Sequence, residues 1–156
     1  MISYEAIKTI HIISSTILFG TGLGSAFYVW MAYRTKNIHT IAFAARTVVI
    51  ADFLFITPTA IIQPITGVIL MYQLGYPITM PWIVISLFLY VLVGVCWLPV
   101  VWIQMRLRDI AQQAIDANTP LPPLFHEYWK TWFVLGWPAF ITMIIIFGLM
   151  VYKPLF

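Results

Sequence analysis

His11 stands in a run, residues 9 to 33, that contains no charged side chain. An imidazole in such surroundings can ligate haem iron or another metal, or it can hydrogen-bond to a neighbouring helix. Both readings stand on the sequence alone. At helical spacing His11 shares a face with Ser15, Leu18, Gly22 and Ser25. Ser14, Gly20, Gly24 and Ala26 add further small residues, which let a second helix or a flat cofactor approach closely. With one imidazole in the run, the second axial position of a haem falls to Met71, Met150, another subunit, water or nothing. Each methionine also reads as ordinary packing. His39 and His126 fall near helix ends and read as solvated or interfacial.

A second group of polar residues recurs along one stripe: Asp52, Thr59, Gln63 and Thr66. A polar stripe in an apolar helix must face protein, cofactor or water rather than lipid. Pro58 and Pro64 interrupt the backbone ladder there and free carbonyls for other partners. Arg46 lies on a different stripe. One reading is a polar pocket in which Arg46 receives an anionic group such as a haem propionate and Gln63 supplies a hydrogen bond. The other is interhelical hydrogen bonding with an interfacial Arg and Asp. Further on, Ser86, Tyr90, Gly94 and Trp97 share a face. Cys96 is the lone cysteine, so no intrachain disulfide forms, and it reads as a small core hydrophobe. Trp137 and Pro138 read as core and kink residues.

These side chains must be positioned by elements of unusual composition. Residues 53 to 105 carry no charge, and neither do residues 131 to 152. A bilayer needs about 20 apolar residues per helix. At 62% hydrophobic and 8% charged, the chain cannot solvate a globular surface. The N-terminal run is read as a retained first helix, because no basic leader precedes it.

The chain is therefore expected to be all-α, a single four-helix transmembrane bundle, up-down and antiparallel. The helices are expected at about 4–33, 40–73, 81–108 with an extension to about 117, and 126–152. Arg34, Lys36, Arg46, Arg106, Arg108 and Lys130 gather at one face, against Lys8 and Lys153 at the other. Positive charge favours the cytoplasmic side, so both termini are expected on the non-cytoplasmic side of a bacterial inner membrane. Aromatic belts are expected at Tyr4, Tyr72, Tyr76, Trp82 and Tyr152 outside, and at Tyr33, Trp102, Tyr128, Trp129 and Trp132 inside. The net charge of +3 is explained by flanking residues and does not argue for nucleic acid. Lipids are the expected partners, with a homo-oligomer or a larger membrane complex open.

The opening Tyr4-Glu-Ala-Ile-Lys-Thr-Ile-His11 followed by Phe19-Gly-Thr-Gly-Leu-Gly24 resembles a family of small bacterial predicted integral membrane proteins. More distantly it resembles the HemJ-type protoporphyrinogen oxidases and the copper-resistance membrane proteins. Lys8 and His11 match a Lys-x-x-His at the start of the first helix. Arg46, Pro58-Thr59-Ala60 and Gly67 match the second. Pro138 and Lys153-Pro-Leu-Phe156 match the ending. The resemblance implies a b-type haem or porphyrin pocket with His11 as axial ligand. Ser86 stands where HemJ-type proteins carry a lysine, and Leu135-Gly136 where they carry Asn-Glu. Porphyrinogen oxidation needs a positioned base and acid, so the scaffold and haem are carried forward and the enzyme is not. The expectation is a haem-binding membrane protein in electron transfer, haem handling or a respiratory assembly, with His11, Ser15, Arg46 and Gln63 at its site. The competing expectation is a cofactor-free accessory or structural subunit.

Overall fold

The computed structural model describes residues 3–154. Within them the chain is all-helical, with α1 Tyr4–Arg34, α2 Ile38–Ala51, a π turn Asp52–Ile56, α3 Thr57–Gln73, α4 Pro81–Asp116 and α5 Pro123–Tyr152. α2, the π turn and α3 run on as one span of 36 residues, so four spans are long and apolar enough to cross a membrane. Four spans bring both described ends of the chain to one end of the bundle, together with the α3–α4 turn. We call this the terminal end, and the opposite one the basic end.

The helix limits follow from local chemistry. Ser3 caps α1 by accepting from the Ala6 N–H at 3.2 Å. α2 begins earlier than about residue 40, because Asn37 Oδ1 accepts from the His39 and Thr40 N–H groups at 2.9 and 3.2 Å. Gly75, at φ +70, makes the left-handed step of the turn into α4. α5 begins at Pro123, not about His126. Pro123 occupies the first turn, where a missing N–H costs nothing, so the proline cluster starts this helix as well as ending the loop. Leu155 and Phe156, the last residues of the expected terminal motif, lie outside the described residues.

Pro58 and Pro64 shape the second span. The π turn ends immediately before Pro58, and the Thr57 N–H reaches back to the Asp52 carbonyl. This turn is one of the few ways a helix can pass a proline ring without a clash. Pro64 cannot donate to the carbonyl of Ala60 four residues earlier. Tyr90 on α4 supplies the missing donor, its Oη giving a 2.6 Å hydrogen bond to Ala60 O.

α4 packs most extensively on α5, α1 on α3, and α2 on α4. The core lies at the basic end, where Val48, Leu107, Ala111 and Phe125 are buried. Tyr33 stacks on Trp129 at 4.2 Å between centroids. Trp129 and Trp132 are buried in this cluster, as Trp82 is at the terminal end. They are therefore core residues rather than members of the expected belts, their large rings filling the clusters between helices. Trp137, expected in the core, is 55% exposed and faces outward. Tyr72 and Tyr152 are highly exposed, as a residue of an interfacial belt should be. Toward the terminal end, α1 meets α5 through Phe19, stacked on Phe140 at 5.0 Å and edge-on to Phe147 at 5.3 Å.

Candidate functional site

The stripe of Asp52, Thr59 and Thr66 is buried, facing protein as its polarity requires. It meets α1 toward the terminal end. There His11 Nδ1 lies 2.8 Å from Thr66 Oγ1, and Ser14 Oγ donates to Gln63 Oε1 at 2.6 Å. The Thr66 hydroxyl also lies 2.8 Å from the Ile62 carbonyl. When it donates there it accepts from Nδ1–H of His11, and in that tautomer the Nε2 lone pair is left for a ligand. The ring crosses α3 at Gly67, where an added Cβ would sit 3.4 Å from His11 Cε1. Glycine here lets the imidazole lie against the α3 backbone. Thr66→Val should remove this link and cost about 0.6 kcal/mol, the usual worth of an interhelical hydrogen bond in a membrane. Unfolding in mixed micelles would measure it.

Of the four residues expected at the site, the structure brings His11 and Gln63 to the same α1–α3 seam. Ser15 turns aside, its hydroxyl bonding the Ile12 carbonyl of its own helix at 2.7 Å. Its neighbour Ser14 takes the buried position instead. The stripe that α1 buries runs Ile7, Ser14, Ser25, Val29, Ala32, and the i+3 step from His11 selects Ser14 over the i+4 residue. Arg46 is exposed near the basic end, about 30 Å along the helix from Thr66 at 1.5 Å per residue. It cannot serve an anionic group bound at His11. The cations at His11's own end are Lys8, over the Tyr4 ring at 5.6 Å, and Lys153, over Tyr76 and Trp82 at 5.3 and 5.7 Å. Met71 is packed against Trp82 and Ile83, and Met150 is partly exposed on α5. Ser86 is buried and its hydroxyl is spent on the Trp82 carbonyl at 2.6 Å.

A second polar centre lies toward the basic end, and the sequence signalled it only as one member of a stripe. Asp52, on the π turn, is 2% exposed. Gln104 of α4 donates its amide N–H to Asp52 Oδ2 and accepts from Trp132 Nε1 of α5 at 3.2 Å. Asp52 Oδ1 and Tyr28 Oη are buried with no hydrogen-bond partner among the described residues, and so is Trp97 Nε1. Tyr28 on α1 is near enough to feel the charge on Asp52. Three spans thus converge on one carboxyl group, with a fourth alongside. Gln104 carried no motif; only its burial, at 5% exposure, marks it.

Residues 5–154 match the family described as a predicted integral membrane protein (DUF2269). The chain belongs to that family. No curated protein and no solved structure matches it. This DUF2269 member has four helices apolar enough to cross a bilayer, in keeping with the family's description as an integral membrane protein, and lipid is then the main contact of the outward faces. Among the described residues no three His, Cys, Asp or Glu side chains gather to hold a metal ion.

Proposed function

We propose that this membrane protein binds a b-type haem through His11 and serves in electron transfer or haem handling. The observation that carries the reading is the anchored imidazole: Nδ1 is held 2.8 Å from Thr66 Oγ1, and in the tautomer protonated at Nδ1 the other nitrogen, Nε2, is free to bind iron. A histidine ligand commonly has its other nitrogen anchored in this way. Among the described residues no His, Cys, Asp or Glu cluster assembles a full ligand set, so an iron bound here would take most of its ligands from a macrocycle. Gly67 fits such a group, because its lack of a side chain lets the His11 ring lie against α3.

Haem, when bound, supplies one-electron chemistry at iron. The protein's own part is to orient the imidazole through Thr66, to keep Gly67 open beneath it, and to offer Lys8 and Lys153 to carboxylates at the terminal end. The resemblance of Lys8-x-x-His11 to the HemJ-type opening supports the same reading. The excess of Lys and Arg at the basic end supports a bacterial inner-membrane location with both termini outside.

A second reading has its own observation. The His11–Thr66 and Ser14–Gln63 hydrogen bonds are complete as they stand, which suits a cofactor-free subunit whose polar groups join α1 to α3. The visible spectrum of haem-replete, detergent-purified protein separates the two. A Soret band that shifts on reduction and disappears in His11→Ala is the expected result. A preparation with no such band, co-purifying with a stoichiometric partner, would support the accessory subunit instead.

A further inference from the structure

We propose that Asp52 is a proton-binding site in the membrane interior, reached from the basic end of the bundle. The proposal is independent of haem and rests on the second polar centre. Asp52 is almost completely buried, and only one of its carboxyl oxygens has a partner, the Gln104 amide. No cation compensates it: among the described residues the one ion pair is Arg108–Asp109, at 2.8 Å.

The groups facing Asp52 are neutral. Tyr28 lies nearby on α1, Gln104 bonds it from α4, and Trp132 of α5 is bonded to Gln104. The charged residues of these helices lie elsewhere. Arg46 on its own span is exposed, Arg106 is stacked on Trp102, Arg108 is paired with Asp109, and Lys130 and Glu127 are exposed. His126, also exposed, is hydrogen-bonded to Tyr33 at 2.8 Å. A bare carboxylate so placed is costly in an apolar medium, and a bound proton removes the charge. Oδ1, which accepts from no described residue, is the oxygen left to take that proton. Its position on a π turn adds weight, since such turns recur at functional sites.

The inferred access route runs on the same side, through Gln104 rather than through a channel lined by Asp52 itself. A narrow void, about the size of one water, is bounded by Gln104, Tyr33, Ala45 and Val48. Tyr33 links it to His126 at the basic end. A proton from that side would reach the carboxyl group, bond to Oδ1, and leave by the same path. No other reactant is consumed.

Infrared spectroscopy of the full-length protein in lipid tests this directly. The four other acidic side chains, Glu5, Asp109, Asp116 and Glu127, are solvent-accessible, so a buried acid is distinguishable. The expected result is the carbonyl band of a protonated carboxylic acid at neutral pH, shifted in deuterated water and absent from Asp52→Asn. Asn keeps the shape and removes a titratable group, so folding should survive, with the thermal transition as control. No such band in the wild type, or a band that persists in Asp52→Asn, would overturn the site. A transition that tracks sodium or potassium at fixed ionic strength would instead assign a metal cation and also overturn it. Ala45→Val fills the void; it should keep the band and slow its deuterium shift by at least an order of magnitude. An unchanged rate would overturn the route.

Discussion

Gln104→Leu should lower the free energy of unfolding by about 2–5 kcal/mol, the largest effect of any single substitution considered. Leucine fits the volume and suits the surrounding apolar side chains, so lost packing is not the cause. The cause is that Gln104 joins two otherwise unmatched groups, the Asp52 carboxyl and the Trp132 indole. Without the amide, both Asp52 oxygens lack a donor and Trp132 Nε1 lacks an acceptor, with both residues buried. Removing one partner of a buried pair leaves the full desolvation cost of the other. The double variant Asp52→Leu/Gln104→Leu should therefore recover part of the loss, because it removes the stranded carboxyl as well. Unfolding of reconstituted protein would measure the cycle. A loss below about 0.5 kcal/mol for Gln104→Leu, the range of ordinary surface changes, would mean that water takes the place of the amide.

Tyr90→Phe should cost about 1–2 kcal/mol, more than the ~0.6 kcal/mol of an average interhelical hydrogen bond in a membrane. The excess comes from Pro64. In a regular helix the Ala60 carbonyl would keep its own i+4 N–H when a tyrosine was removed. Here that N–H does not exist, and Tyr90 Oη is the donor that replaces it. Pro64→Ala restores the N–H, so in that background Tyr90→Phe should cost only a few tenths of a kcal/mol. If the two losses simply add, then Ala60 O is satisfied some other way and Tyr90 serves by packing alone.

The architecture was legible in the sequence because charge-free runs of this length admit one solution, helices that satisfy their own backbones. The polar stripe of the second span was legible too: Asp52, Thr59 and Thr66 are buried as their spacing implied. Side-chain convergence was not. Ser14 and Ser15 flank His11 on opposite sides of a helical wheel, and a contact with Gln63 decides between them. Arg46 was grouped with His11 as a receiver for a haem propionate, without regard to the length of helix between them. Gln104 carried no motif, and Trp132 was read as a belt residue, since a sequence does not reveal which aromatic rings turn inward. Tyr90 was assigned to a face, but its role depends on a proline 26 positions earlier on another helix.

The π turn has a consequence for how this chain tolerates change in length. It takes up an extra residue between Asp52 and Thr57. Deleting one residue of that turn would rewind it to α and leave the faces beyond near their present places. The same deletion between Thr57 and Gln63, in regular helix, would rotate everything beyond by about 100°. Asp52 would keep its place beside Gln104, while Gln63 and Thr66 swung away from α1. The span can therefore lose a residue at the turn and not below it.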